Sequence, residues 1–510
     1  MTRAVRALAA VIVAGCAARH APSPLAPEVR ALDAELDSAF AQPPFARATW
    51  GVVVQSIDNG QVLYRRNAEH LFMPASNQKI LTGSVSLARL GAEFRYRTPI
   101  LVRGTRTADT LHGDLIVAGR GDPSISQHNA GGTDILAALR PWADSLKARG
   151  IHVITGRVTG DASFFPDPVL GQGWMWDDLQ DSYSAPVGAL QFNEGFANLE
   201  VTPGSFGGDS ARVRLLPSEA PLRIFSTVTT APRDSNINQV SYTRVFYTDS
   251  VILGGRLSAG HAPVIIEAAV TDPTRYFENA LTQVLRESGI AVLGARLPPA
   301  TTIVAAAPQC GCCGCAQSAI GAAPDTLFFW QSPPLRDILP LLEKPSQNQI
   351  AEALLHTLGG LRGVASEDSG RAVIAETLTG WGIPEDAYVY VDGSGLSRYN
   401  YVAPDAIAQV LASIYRHPDF NVFYQALPIA GVDGSISGRM KGTAAANNAH
   451  AKTGSIANAR SLSGYVTTQD GEHLIFVLLC NHFTASRRVV ETVQDHVVER
   501  LANFSRRSAH

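Results

Sequence analysis

In "PASNQKILTG" (residues 74–83), Ser76 stands three positions before Lys79 at the head of an apolar run. Positions i and i+3 share one face of a helix, so the lysine amine can lie beside the serine hydroxyl. A hydroxyl is a weak nucleophile and needs a neighbouring base to take its proton. Lysine can serve once desolvation or a nearby positive charge lowers its pKa; arginine, always charged, cannot. The chain writes 37 of its 42 basic residues as arginine yet keeps lysine at position 79. The plainer alternative is a helix start, with Ser76 as N-cap and Lys79 on the surface. This stretch alone does not separate the two.

Two further stretches bear on the choice. "KPSQNQIAEALL" sets Ser346, Gln347 and Asn348 before a second apolar run, and "AHAKTGSIANARSLSGYV" sets Lys452, Thr453, Gly454 and Ser455 before a hairpin pattern. Ser-x-x-Lys, Ser-x-Asn and Lys-Thr-Gly, in that order, form the motif set of class A β-lactamases and penicillin-binding proteins. Each triplet is weak alone; the ordered set is specific.

The elements that must position these residues come from both ends of the chain. "LDAELDSAFA" (32–41) predicts an amphipathic helix, followed by the strand–turn–strand "TWGVVVQSI", Asp58-Asn59-Gly60 and "QVLYRR". "RSLSGYVTT", a turn at Gln469-Asp470-Gly471 and "HLIFVLLCN" predict another hairpin, followed by a helix with Val489, Val493, Val497, Leu501 and Phe504 on one apolar face. Such ends pack as an antiparallel sheet covered by terminal helices. Between about Tyr96 and Asp325 the texture changes to short strands with Gly-Asp and Pro turns, which reads as inserted β-rich domains.

The 267 positions from Lys79 to Ser346 exceed what a compact β-lactamase needs. With that gap, and with "GDLIVAGRGDPSI", "SYSAPVGALQFNEG", "VDGSGLSRYNYVAP" and "LPIAGVDGSISGRM", nearly the whole chain resembles the penicillin-binding protein 4 type of D-alanyl-D-alanine carboxypeptidase/endopeptidase, the S13 peptidase family. The resemblance implies an α+β fold: a β-lactamase/transpeptidase-like domain, an antiparallel sheet flanked by helices, formed by 28–95 and 326–505. It implies inserted domains at 96–325, with an inner β-rich subdomain at 198–262. It also implies that Ser76 attacks the carbonyl between two D-alanines of a peptidoglycan stem peptide, with Lys79 as base. Ser346 would relay the proton to the leaving amine and Asn348 would hold the substrate amide. Lys452 and Thr453 would meet the terminal carboxylate, Lys452 would favour neutral Lys79, and the N–H groups of Ser76 and Ser455, with Gly454 between the motif residues, would shape the oxyanion hole. β-Lactams should acylate the same serine. Gln347 stands where many relatives have Asp, and Ser455 where Thr is common; neither departure touches a side-chain role. Lys344 reads equally as an electrostatic neighbour of the site or a solvated helix-entry residue, and "DGSGLSRYN" (392–400) reads as support for the site or, preferred, as a turn at Asp392-Gly393.

A formal net charge of −3 gives no sign of nucleic acid as a partner. Arg3 and Arg6 precede "ALAAVIVAG", an apolar run too short to cross a bilayer comfortably, and "VAGC" resembles a lipobox ending at Cys16. The expectation, over the plainer alternative of a cleaved secretory signal, is a lipoprotein signal over 1–16, a tether over 17–27, and a lipid-anchored protein facing the periplasm. Cys310, Cys312, Cys313 and Cys315 form "CGCCGC", which matches no zinc spacing and reads as a local staple or loop. No cofactor or metal is expected.

Two other readings of the residues compete: a serine β-lactamase or esterase of the same fold, and a non-catalytic cell-wall binding protein. Against the first stand the long insertion and the absence of Glu-x-x-Leu-Asn between Asn348 and Lys452. Against the second stands the intact set of Ser76, Lys79, Ser346, Asn348 and Lys452. Gly-x-Ser-x-Gly and His-Glu-x-x-His are both absent.

Overall fold

The computed structural model describes residues 26–130, 134–246, 248–294 and 323–507; Cys16 and the Cys310–Cys315 cluster lie outside them. Five antiparallel strands form the sheet of the peptidase unit, in the order His450–Ile456, Ala459–Thr467, His473–Asn481, Thr49–Ser56, Val62–Arg66. The N-terminal strand joins the C-terminal hairpin in unbroken register from Thr49↔Asn481 to Ser56↔Leu474. Alternation along "TWGVVVQS" explains how one strand serves two cores. Trp50, Val52 and Val54 point to the terminal helices Pro27–Phe40 and Arg487–Ala502, while Val53 faces the opposite layer. In the C-terminal helix the buried face runs through Val490, Val493, Val497, Val498 and Leu501. Val489, expected on that face, is exposed, because the helix begins at Arg487 and its phase brings Val490 inward instead.

The opposite layer is helical. Its centre is the helix Gln78–Leu90, in which every residue from Gln78 to Leu87 is buried. It is surrounded by the helices Leu335–Glu343, Asn348–Gly360, Glu367–Gly380 and Pro404–Tyr415. A helix enclosed on all sides buries whatever polar side chains it carries, and this places Lys79 in the core.

The insertion has its own sheets. Arg97–Thr107 pairs with Thr110–Ala118 on one side and with Asp325–Gln331 on the other. The expected boundary at 325/326 therefore falls inside the insertion's sheet, which continues to Gln331 because "DTLFFWQ" returns to pair with the first inserted strand. The inner β-rich part likewise exceeds 198–262: Phe196–Thr202 pairs with Val264–Ala269, closing a three-stranded sheet beside a four-stranded one.

Candidate active site

Ser76 lies in a single 3-10 turn, Ala75–Asn77, that runs directly into the buried helix. It stands inside that turn, the N-cap positions being Pro74 and Asn77, so capping does not account for the serine. Ala75 before it has φ 49°, a left-handed conformation uncommon for a residue with a side chain and frequent at functional sites. The Lys79 ammonium is fully buried and has three partners: Ser76 Oγ at 3.0 Å, Asn348 Oδ1 at 2.6 Å and the Ser394 carbonyl at 2.8 Å. Burial, then the positive charge of Lys452, lower its pKa to about 7, against the upward pull of Glu343, Glu352 and Asp392. A lysine in that range is half neutral near pH 7 and can accept a proton.

The second motif enters from the helix Asn348–Gly360. Ser346, half-buried at its threshold, also has a left-handed backbone, φ 70°. Asn348 is engaged at both ends of its amide, its Oδ1 accepting from Lys79 and its Nδ2 donating to the Tyr183 carbonyl at 2.6 Å. Lys344 does not reach Lys79; its ammonium pairs with Asp433.

The third motif lies on His450–Ile456, the edge strand of the sheet. Asn77 ties it to the first motif: its Nδ2 donates to the Lys452 carbonyl at 2.8 Å and its Oδ1 accepts from Ser463 Oγ at 2.6 Å. A Cβ on Gly454 would lie 2.1 Å from Ser461 Oγ, 2.7 Å from the Pro74 carbonyl and 2.9 Å from Ser76 N. Only glycine lets the edge strand come this close to the Ser76 turn. Lys452 is fully buried and its pKa is lowered by burial, with Glu343 pulling upward. Thr453 Oγ1 shares a 2.7 Å hydrogen bond with Ser435 Oγ, and Ser455 is exposed. The structure thus brings Ser76, Lys79, Asn348 and the Lys452–Ser455 edge around one place, with Ser346 at its rim.

A serine beside a buried lysine of lowered pKa, with an edge-strand Lys-Thr-Gly, suits acyl transfer, and the sequence comparison shows the family. A model of the family described as D-Ala-D-Ala carboxypeptidase 3 (S13) matches residues 32–504. The chain belongs to that family. This S13 enzyme is accordingly a serine-type D-Ala-D-Ala carboxypeptidase with the α+β fold of the penicillin-recognising proteins. It is 29% identical over 489 residues to the D-alanyl-D-alanine carboxypeptidase of Actinomadura sp. (strain R39), covering 92% of this chain and 84% of that one. The crystal structure of penicillin binding protein 4 (dacB) from Haemophilus influenzae matches it with a TM-score of 0.73 at 26% identity, over 92% of this chain and 99% of the other. The same H. influenzae protein complexed with a novel β-lactam matches with a TM-score of 0.69 at 25% identity, over 92% of this chain and 100% of the other.

Several residues of the S13 site escaped the motif reading. "DGSGLSRYN", for which a turn is the preferred reading over support of the site, supplies the Ser394 carbonyl to Lys79. Glu352 shapes that loop by accepting from Gly393 N at 2.9 Å and Ser394 N at 2.8 Å. Asp392 pins it further, accepting from Gly395 N, Ser397 N, Asn400 Nδ2 and Trp174 Nε1. The density of Gly, Ser and Asn in that segment was the available signal, and it also fits an ordinary turn. Tyr183 lies in "SYSAPVGALQFNEG", which carries the family resemblance but no role at the site, and Trp174 gives no signal; both lie about 170 positions upstream of Asn348.

Proposed function

We propose that this enzyme removes the terminal D-alanine of peptidoglycan stem peptides through an acyl-enzyme on Ser76. The observation that carries the reading is the fully buried Lys79 amine 3.0 Å from Ser76 Oγ. Neutral Lys79 takes the hydroxyl proton as Oγ bonds to the carbonyl carbon of the penultimate D-alanine. The developing oxyanion is met by the N–H groups of Ser76 and Ser455, an interaction commonly worth about 3–4 kcal/mol of transition-state stabilisation. Ser346 relays that proton from the Lys79 ammonium to the leaving amine as the C–N bond breaks, and water then hydrolyses the ester. Asn348, engaged at both ends, acts first by orienting Lys79. Lys452 and Thr453, with Ser435, receive the substrate's terminal carboxylate at the edge strand. A β-lactam, which mimics the D-alanyl-D-alanine end, acylates the same serine and leaves slowly; the β-lactam complex of the H. influenzae relative supports the binding of such a compound.

Incubation with monomeric and cross-linked muropeptides tests it. Wild type releases terminal D-alanine, and the same chemistry applied to a D-alanyl cross-link yields monomers as well; Ser76→Ala yields neither. Equal products from the variant would remove Ser76 as nucleophile, and rapid turnover of bound penicillin would favour a β-lactamase.

The cell-envelope substrate agrees with the anchoring read from "VAGC". In this proposal residues 1–16 are a lipoprotein signal, 17–27 a tether, and Cys16 carries the lipid that holds a periplasm-facing enzyme at the membrane. Among the described residues no helix is long and apolar enough to cross a membrane. Loss of membrane association and of palmitate labelling on Cys16→Ser is the expected result; unchanged partition would overturn the anchor.

A further inference from the structure

One buried charge in the core has no role in the chemistry described so far. Glu343 ends the helix Leu335–Glu343, continuing the stripe of Leu335, Leu339 and Leu342 that packs into the core. It is fully buried, and neither carboxylate oxygen has a hydrogen-bond partner. Oε1 lies 2.7 Å from the place a Cβ on Gly83 would take, with Leu342 and Phe423 beside it. Gly83 is one helical turn beyond Lys79, so the carboxylate occupies the groove that the missing side chain leaves behind the catalytic turn.

An isolated carboxylate in such a place is costly unless a counter-ion compensates it. The fully buried Lys452 supplies one. Its ammonium has three N–H donors, and among the described residues one of them donates to the Thr453 carbonyl at 3.2 Å. Each carries a charge the other feels, without direct hydrogen bonding between them.

We propose that Glu343 is a positioning residue: its carboxylate, set against the Lys452 ammonium, keeps that charge in place for the substrate carboxylate and serves as counter-ion when Lys79 takes the Ser76 proton. As the Ser76 O–H bond breaks and the Lys79 N–H bond forms, two ammonium ions face each other in the core. The carboxylate behind them offsets the added charge, and the proton leaves again with the departing amine. This rests on the roles proposed above for Ser76, Lys79 and Lys452. Burial pushes Glu343 up from the ordinary carboxylate range and both lysines pull it down. The other acidic groups facing Lys79 are Glu352, whose own pKa burial pushes up to about 8, and Asp392. Lys344, next in the chain, is held by Asp433.

The test is the pH dependence of penicillin acylation in Glu343→Gln and Glu343→Met. Methionine matches the length without the charge, and apolar replacement of buried ions commonly preserves folding. In wild type the rate rises as Lys79 loses its proton and falls as Lys452 loses its own. The carboxylate favours the charged form of both amines, so its removal shifts both limbs to lower pH, by about one unit or more. The acylation rate on the alkaline side then drops about tenfold at fixed pH. Limbs that stay in place in both variants, or that shift to higher pH, overturn the proposal; a uniform loss at every pH is the signature of a structural role and overturns it equally. Ser76→Ala run alongside separates the two levels. Labelling that persists there removes the underlying reading, whereas an unlabelled Ser76→Ala with unmoved limbs removes only Glu343.

Discussion

Around the five-stranded sheet the core holds Lys79, Lys452, Glu343 and Glu352, none more than 2% exposed; around Trp142, Leu253, Tyr276 and Phe277 the core of the insertion holds no lysine. The insertion does bury two carboxylates, but each has short local partners. Asp122 accepts from Ser124 N and Oγ, and Glu194 from Ser126 Oγ and His128. In the peptidase unit two like charges are enclosed near each other and one carboxylate is left without a hydrogen bond. Folding gains nothing from that arrangement, since like charges in a low-dielectric interior repel. What it supplies is a lysine able to act as a base near neutral pH. The difference between the two cores separates residues kept for chemistry from residues kept for stability.

The largest blow to that separation would be a Ser76→Ala variant with residual activity. Release of D-alanine and penicillin labelling are expected to fall on the order of 10⁶-fold. Next comes Lys79→Arg, which keeps the charge and gives up the base; a loss of roughly 10²–10⁴-fold in acylation is expected at every pH. In wild type the acylation rate should climb through about pH 7 as Lys79 deprotonates. Stability carries the same mark. The unfolded lysine titrates near 10.4 and the folded one at about 7, so between these values the unfolded chain binds more protons. Burial of Lys79 therefore costs most below pH 7, and its contribution to stability improves as the pH rises toward 10. Chemical denaturation of wild type and Lys79→Met across this range should show the variant's relative stability declining as pH rises; a pH-independent difference would place the lysine's titration elsewhere.

The motif residues and the sheet built from the chain ends were legible because their signals are local: three short motifs, two hairpins and a helical apolar stripe. Val489 was misplaced because the stripe contains adjacent valines and the helix start decides which turns inward. What could not be read was the set of residues that meet only after folding. Asn77 looks like part of a helix start, yet it fastens the Lys452 strand across 375 positions. Ser394 acts through its carbonyl, which side-chain identity cannot advertise. Glu343 in "LLEKPSQN" looks like an ordinary charge at a helix end, and only the bare Cα of Gly83 opposite reveals where it goes.

Two smaller substitutions sharpen the comparison from the side of the insertion. Trp174 reaches from the insertion to donate its Nε1–H to Asp392 at 2.9 Å, and Asp392 holds the loop that presents Ser394 to Lys79. Loss of a hydrogen bond to a charged group is worth about 1.5–3 kcal/mol, so Trp174→Ala should lower kcat/KM about tenfold through misplacement of the loop. Leu253, fully buried in the inserted core, makes no such connection. Leu253→Ala should cost about 2–5 kcal/mol of stability, as expected for a cavity, while kcat/KM measured well below the unfolding temperature stays near wild type. Paired measurements of denaturation and turnover on these two variants decide whether the insertion serves the site only through its contact segment. A Leu253→Ala enzyme that folds fully and yet loses activity as Trp174→Ala does would show that the inserted core transmits strain to the lysines, and the two cores would then have to be treated as one.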